Sequence, residues 1–284
     1  MRMNVTVSDG EVFSLDWYPR NYKKLAPKTP IVFYVPGIFG ISKDKYAYDF
    51  CKIALKELGW RTFVFHRRLL LNEPTGAHIN SYLGYSDWKE IVNHIKSIFP
   101  DTDIYMVGVS MGALNIQRYL IETGKDCGIK AALTISSPYS AKGISDTIMR
   151  KKMFLKILLG AQHRMIRQHM HSEKFIELLE RKGIDIEKVL ATKTNRHFDE
   201  LFALPDMGFK TTDEYYDNLS SDKFVGDIAI PVLSINSMDD LMIPASCIPL
   251  DKIKQNPNII QLMVAGGGHI EYFTGLKCKY VANY

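Results

Sequence analysis

The stretch Gly108-Val109-Ser110-Met111-Gly112 decides how the rest of the sequence is interpreted. It matches the pattern G-x-S-x-G, the nucleophile elbow, in which a serine occupies a strained turn between a strand and a helix. An apolar run at Ile104–Val109 predicts the strand, and residues 111–122 have the spacing of a helix. This context favours Ser110 as a nucleophile over a chance match to the pattern.

Strands and helices alternate on both sides of this motif. Short apolar runs predict further strands at Ile31–Val35, Arg61–Phe65 and Ala131–Ile135. Helical spacing appears between them, at residues 45–58 and 87–98. Alternation of this kind is typical of a parallel sheet covered by helices on both faces. The expected fold class is α/β, with a mostly parallel, doubly wound sheet.

An antiparallel hairpin is expected at the N terminus. Polar and apolar residues alternate on both sides of Asp9-Gly10. This dipeptide suits the two central positions of a type I′ turn, which joins two antiparallel strands.

A helical cap is expected after the first six strands. From about residue 144 to residue 222 the strand pattern disappears, and residues 149–170 and 173–181 show helical spacing. Two strands, at residues 230–236 and Ile259–Val264, then complete the sheet. The 284 residues are therefore expected to form a single domain with the cap as an insertion.

His269 is the predicted general base. A serine hydroxyl is a weak nucleophile unless a base accepts its proton during the attack, and histidine suits this role near neutral pH. His269 follows the strand Ile259–Val264 and the run Gly266-Gly267-Gly268. This position places it on a loop at the carboxyl edge of the sheet, where Ser110 also lies.

A carboxylate that orients the histidine is expected at the same edge. The strand at residues 230–236 leads to Asp239 and Asp240. Asp240 is preferred because it lies four residues before Pro244, the usual spacing of the acid in this fold. The chain order Ser110, Asp240, His269 is the order of the α/β-hydrolase fold.

Two backbone N–H groups are expected to stabilise the oxyanion that forms during acyl transfer. Met111, which follows the nucleophile, is predicted to supply one of them. Ile38, in the turn Pro36-Gly37-Ile38-Phe39-Gly40, is predicted to supply the second. The alternative is that the glycines of this turn serve only its backbone conformation.

Composition excludes several other classes of protein. Hydrophobic residues make up 46% and charged residues 24% of the chain, which is typical of a globular protein, and the net charge is only +5. No nucleic-acid-binding module is recognisable. The four cysteines form no C-x-x-C pair and no secretory signal precedes the first strand, which favours reduced thiols and a cytoplasmic location. Neither a metal ion nor a cofactor is expected.

His163, His169 and His171 lie near one another in the sequence but are not spaced to converge on a metal ion.

The basic and apolar residues of the segment between residues 150 and 171 have two alternative interpretations. Basic residues of the same segment alternate with apolar ones. Such a pattern suits peripheral contact with an anionic membrane. A solvated helix face that packs its apolar side on the core is the interpretation that the sequence favours.

The chain resembles the YheT-like α/β-hydrolases, a family that includes plant, animal and bacterial esterases and yeast ethanol acyltransferase/esterases. The resemblance runs nearly from end to end. It rests on the motifs described above and on further positions: Leu15-Asp16-Trp17, Gly59-Trp60-Arg61, Gly84, Asp87, Ser136-Ser137-Pro138, Phe198-Asp199-Glu200, Gly208-Phe209, Tyr215-Tyr216 and Ser220-Ser221.

This resemblance implies a serine esterase with acyl substrates such as medium-chain esters, acylglycerols or phospholipids. The alternatives are transfer of the acyl group to an alcohol by the same triad, and an inactive fold that binds a lipid or a protein partner. Two departures from the family bear on the pocket: bulky residues at positions 66–71, where the family has a glycine, and Phe39 in the oxyanion turn. Phe154, Met165, Phe198 and Phe202 are candidates either for an acyl channel or for the core.

Overall fold

The computed structural model describes residues 1–79, 85–270, 272–274 and 279–280. Gly84, one of the positions of the family resemblance, and Cys278 lie outside the described residues. Within the described parts of the chain, no helix is both long and apolar enough to span a bilayer.

Eight strands form the main sheet, in the order β1-β2-β4-β3-β5-β6-β7-β8: β1 Arg2–Thr6, β2 Val12–Tyr18, β3 Ile31–Val35, β4 Arg61–Phe65, β5 Ile104–Val109, β6 Ala131–Ile135, β7 Val232–Ser237 and β8 Ile259–Val264. Strand β2 pairs antiparallel with β1 and with β4, and every other pair of neighbours is parallel. This confirms the mostly parallel sheet and the antiparallel N-terminal hairpin. Two short strands, β9 Phe273–Thr274 and β10 Lys279–Tyr280, pair separately.

The turn of the N-terminal hairpin differs from the predicted type I′ turn. That type needs a positive φ at both central residues. Gly10 has φ 89°, whereas Asp9 is not among the described non-glycine residues with positive φ. The N–H of Gly10 donates to the oxygen of Val7, and the N–H of Val7 donates to the oxygen of Glu11. The loop is therefore three residues long and ends in a left-handed glycine.

Helices cover both faces of the sheet: α1 Lys45–Leu58 on one face, and α2 Tyr85–Ile98 and α3 Met111–Thr123 on the other. Ala47 and Cys51 of α1 are buried against Val32 and Val64 of the sheet. On the opposite face, Trp88 of α2 packs on Phe33 and Phe65. Strands buried on both faces explain the uninterrupted apolar runs in the sequence.

Between β6 and β7 the chain forms a helical insertion, residues 141–219, with a core of its own. Phe175, Leu179 and Val189 lie in that core together with Leu69, which follows β4. Its α-helices are α4 Ala141–Arg150, α5 Lys152–Arg167, α6 Glu173–Arg181, α7 Ile186–Leu190, α8 Asn195–Phe198, α9 Leu204–Met207 and α10 Thr212–Leu219; a π-helical turn spans Asp199–Ala203. A further short helix, α11 Leu250–Ile253, precedes β8.

Three of the predicted elements have wrong bounds. The helix predicted to begin at residue 87 begins at Tyr85. The helix predicted over residues 149–170 is two helices, because Lys151 leaves the helical region with φ −110° and ψ 83°. The strand predicted to begin at residue 230 begins at Val232. Pro231 precedes it and has no N–H to donate to a neighbouring strand.

Candidate active site

Ser110 lies in a strained turn between β5 and α3. Its backbone has φ 55° and ψ −121°, a conformation that side-chain-bearing residues rarely adopt. The glycines on either side have no room for a side chain. A Cβ atom at Gly108 would lie 2.7 Å from the oxygen of Gly112, and one at Gly112 would lie 2.2 Å from the oxygen of Val35. Both glycines are therefore required by close packing of the strand, the turn and the helix.

The structure brings the side chains of the three predicted triad residues together. Nε2 of His269 lies 2.8 Å from Oγ of Ser110, and Nδ1 of His269 lies 2.8 Å from Oδ2 of Asp240. The Asp240 side chain is fully buried, and the His269 side chain is 18% exposed. The carboxylate can hold the imidazole with Nδ1 protonated, which leaves Nε2 free to accept the Ser110 proton.

Asp240 is held by its own loop. Its Oδ1 accepts hydrogen bonds from the N–H groups of Met242 (2.7 Å) and Ile243 (2.9 Å). The neighbouring Asp239 is exposed and faces another way, because it accepts from the Ser237 hydroxyl and from the N–H of Gly268. The alternative acid of the sequence analysis therefore supports the loop that carries His269 and does not contact the imidazole.

The loop that carries His269 is also tied to β6. The hydroxyl of Ser136 donates to the backbone oxygen of His269 and lies 2.8 Å from the Tyr272 hydroxyl. Ser136 has φ 51°, so two strained serines, Ser110 and Ser136, stand at the ends of adjacent strands. Backbone strain of this kind persists only where the surrounding structure enforces it, and it is concentrated at functional sites.

The two predicted oxyanion donors line the same cavity as Ser110 and His269. Met111 is the first residue of α3, where N–H groups have no acceptor within the helix. Ile38 follows Gly37, and a Cβ atom at Gly37 would lie 3.7 Å from Cβ of Ser110. The turn after β3 therefore runs directly beside the nucleophile.

Beside Ser110 lies a mostly apolar cavity of about 90 Å³. The helical insertion supplies more than half of its lining, which comprises Ile38, Ser110, Met111, Leu114, Pro138, Ala141, Ile144, Ser145, Ile148, Leu158, Gln162, Asn195, Asp199, Tyr215, Tyr216, Met242, Ile243 and His269. A wall of this composition suits a hydrocarbon chain joined to a group that reacts at Ser110.

One wall of the cavity carries a polar network that the sequence analysis missed. Oδ2 of Asp199 accepts from the Tyr216 hydroxyl (2.7 Å) and from the Asn195 amide (2.9 Å). The network continues to Gln162 on one side and to Ser145 on the other. Burial raises the pKa of Asp199 to about 7, although both hydrogen bonds oppose the increase.

The π-helical turn that begins at Asp199 is a further indication that this wall belongs to a functional site, because such turns occur often at functional sites. In the sequence, Phe198-Asp199-Glu200 and Tyr215-Tyr216 carried part of the family resemblance without an assigned role. The resemblance indicated that these motifs matter, but it did not indicate that they meet in the cavity wall, because the hydrogen bond joins residues 17 positions apart in the chain.

Four aromatic and methionine residues do not line the cavity. Phe198 and Phe202 are buried in the core of the insertion, and Met165 packs against it. Phe154 is half-buried, with the Lys151 ammonium 5.9 Å from its ring centroid. Phe198, Phe202 and Met165 therefore follow the core interpretation, whereas Phe154 lies neither in a core cluster nor in the cavity wall.

The departures from the family pattern lie away from the cavity. Neither Phe39 nor any residue of the segment 66–71 is among the described lining residues. Arg67 bonds the Asn115 amide oxygen at 2.7 Å, and Arg68 forms ion pairs with Asp9 and Asp87. The bulky segment thus fills space between the sheet and its neighbours, and neither departure contributes to the wall of this cavity.

The histidines of the insertion hold separate parts of it. Nε2 of His163 lies 2.9 Å from the Thr192 hydroxyl, and Nε2 of His169 lies 2.8 Å from the oxygen of Leu69. His171 lies against Glu73 on the surface. No cluster of metal-binding side chains occurs in the described ranges. Cys51, Cys127 and Cys247 are free thiols.

Comparison with known proteins places this geometry in a family. Residues 30–276 match the model of the alpha/beta hydrolase fold. The chain is 31% identical to mouse "Phospholipase ABHD3" over 98% of its own length and 68% of that protein. It is 28% identical to yeast "Monoacylglycerol lipase" over 86% of its own length and 55% of that protein. It therefore spans about two thirds of the first relative and about half of the second.

A solved structure shows the same fold. The esterase Pf2001 of Pyrococcus furiosus superposes with a TM-score of 0.63 at 17% identity, over 96% of this chain and 82% of that one. The family match covers most of the sequence, and the sheet order, the strained serine and the site at the carboxyl edge agree with it. The chain belongs to the α/β-hydrolase fold family.

Proposed function

We propose that the protein is a serine hydrolase that cleaves carboxylic esters of fatty acyl groups through an acyl-enzyme on Ser110. One observation supports this above all: a continuous hydrogen-bonded chain from Ser110 through His269 to the buried Asp240, opening on an apolar cavity. An acyl chain in that cavity would bring its ester carbonyl to the Ser110 hydroxyl.

Catalysis follows from the geometry of the three side chains. Ser110 Oγ attacks the ester carbonyl while Nε2 of His269 takes its proton. The backbone N–H groups of Met111 and Ile38 stabilise the oxyanion, and the protonated imidazole then returns the proton to the leaving alcohol. Water, deprotonated by His269, releases the fatty acid and restores Ser110.

The relatives support acyl esters as substrates. Three of them carry names that refer to a phospholipase, a monoacylglycerol lipase and a medium-chain fatty acid ethyl ester synthase/esterase. We therefore propose medium-chain esters, acylglycerols or phospholipids as the substrate class, and a place among the YheT-like members of the family. Free thiols at all three described cysteines support a reducing, cytoplasmic location.

The test is hydrolysis of p-nitrophenyl esters from acetate to palmitate by the wild type and by Ser110→Ala. We expect turnover that rises from acetate to a medium chain and then falls, and that Ser110→Ala abolishes. The matched control is Ser137→Ala, because Oγ of Ser137 is buried without a hydrogen-bond partner and its loss should leave turnover unchanged.

Two outcomes would separate the alternatives. Formation of an ester product at the expense of the acid as an added alcohol is increased would indicate acyl transfer by the same triad. Failure of Ser110 to react with a fluorophosphonate in the folded wild type would contradict a serine hydrolase and favour a binding protein.

A further inference from the structure

Helix α5 exposes large apolar side chains to solvent. Met153 is 67% exposed and Ile157 is 62% exposed, and they are four positions apart, so they lie on the same side of the helix. Met149, at the end of α4, is 39% exposed. The sequence favours a helix that buries its apolar side on the core, but these three residues do not follow that expectation.

The same part of the insertion carries unneutralised positive charge. Between Thr147 and Ser172 the sequence has six Lys and Arg residues and no Asp or Glu. Arg150, Lys152 and Lys156 are exposed beside the apolar side chains. No carboxylate in the described ranges lies within ion-pair distance of these three cations. We call Met149, Arg150, Lys152, Met153, Lys156 and Ile157 the docking face.

The docking face belongs to the helices that form the cavity beside Ser110. Ile148 and Leu158 line that cavity, and each is the chain neighbour of an exposed residue of the docking face, Met149 and Ile157 respectively. A surface that binds the docking face would therefore contact the outer side of the helices whose inner side lines the acyl cavity.

We infer that the docking face binds the surface of an anionic lipid bilayer. Apolar side chains flanked by Lys and Arg are the composition of helices that lie in a membrane interface, where the apolar side enters the acyl boundary and the cations meet anionic headgroups. A nucleic acid would match the charge but would leave Met153 and Ile157 in water. A bilayer satisfies both features.

The test is sedimentation of the purified protein with vesicles of phosphatidylcholine alone and of phosphatidylcholine mixed with phosphatidylserine. The wild type should bind the mixed vesicles, and more weakly at high salt, but not the neutral ones. Met153→Ser/Ile157→Ser should bind at least about tenfold more weakly. Lys152→Gln/Lys156→Gln should bind about 30-fold more weakly.

Two controls test whether binding is specific to the docking face. One removes exposed apolar side chains elsewhere, and the other removes the nucleophile. Ile260→Ser/Leu262→Ser removes two exposed apolar side chains from β8 and should bind as the wild type does. Ser110→Ala should also bind as the wild type does, so failure of the proposed catalysis leaves this inference intact. Thermal unfolding of each variant checks that it is folded.

Several results would overturn the inference. They are equal binding to neutral and anionic vesicles, wild-type binding by Met153→Ser/Ile157→Ser, and absence of binding by the wild type. Binding of a DNA duplex that only the lysine variant loses would assign the face to nucleic acid. A dimer in sedimentation velocity that Met153→Ser/Ile157→Ser dissociates would assign it to a second copy of the chain.

Discussion

Asp239 and Asp240 are adjacent in the chain, yet one carboxylate contacts the side chain of His269 and the other contacts the backbone beside it. Asp240 contacts Nδ1 of His269 at 2.8 Å, whereas Asp239 accepts from the N–H of Gly268, one residue before that histidine. One carboxylate therefore orients the imidazole and the other positions its backbone.

Exchanging each of these carboxylates for its amide separates the two roles. Asp240→Asn should lower kcat for ester hydrolysis by roughly 10⁴-fold, because an amide favours the wrong tautomer of the imidazole. Asp239→Asn should lower it about tenfold at most, because Asn retains an acceptor for Gly268 and the residue is exposed. Equal losses in the two variants would contradict the assignment of Asp240.

Gly112→Ala should destabilise the fold. Its Cβ atom would lie 2.2 Å from the oxygen of Val35, a backbone atom of a central strand, so α3 would have to move away from β3. We expect a loss of about 3 kcal/mol in the free energy of unfolding, measured by denaturant titration. Gly160→Ala is the matched control, since nothing lies within 4 Å of its Cβ position. It should stabilise α5 by about 0.5–1 kcal/mol.

Asp199 should make the stability of the wild type depend on pH. Burial raises its pKa in the folded protein to about 7 from the ordinary 3.8, so the folded state holds the proton more tightly than the unfolded chain. The resulting stabilisation is fully present below pH 3.8 and is lost as pH rises towards 7. Its full size is about 4 kcal/mol.

Asp199→Asn should remove this pH dependence. The Asn oxygen still accepts from Tyr216 and Asn195, so the variant should match the wild type near pH 4 and be more stable by a few kcal/mol at pH 8. The measurement is the free energy of unfolding from pH 4 to pH 8. If the free energy of unfolding varied with pH in the same way for both proteins, folding would not raise the pKa of Asp199.

Ile148→Ala should shift the preferred acyl length. Ile148 is 4% exposed and lines the cavity, so its truncation makes room for about two more methylene groups. The ratio of kcat/KM for a long ester to that for a short one should rise roughly tenfold. Val189→Ala, a comparable deletion in the core of the insertion, should lower stability without changing that ratio.

Features that depend on residues close together in the chain can be predicted from the sequence, whereas contacts between distant residues cannot. The central strands were predicted from uninterrupted apolar runs, because burial on both faces leaves little freedom in residue type. Ser110 and His269 were recognisable because glycines mark the turns that carry them. The break at Lys151 was missed, since apolar spacing continues through it.

The polar wall of the cavity lay beyond the reach of the sequence. Asp199 and Asn195 lie four positions apart on one helical run, but Tyr216 meets Asp199 only after α10 has packed against that run. A buried aspartate between two aromatic motifs has the same sequence pattern as an exposed one. Likewise, Phe198 and Phe202 are as apolar as the residues that line the cavity, and only the fold of the insertion decides which of them face it.

The origin of the cavity lining has a consequence for how this protein can change. Strained turns at the ends of the strands and the buried carboxylate of Asp240 hold the reacting groups, whereas residues 141–219 supply more than half of the wall that an acyl chain would meet. Chemistry and selectivity are thus encoded in separate stretches of the gene. Mutations within residues 141–219 can therefore change which acyl chains are accepted without changing the groups that carry out the reaction.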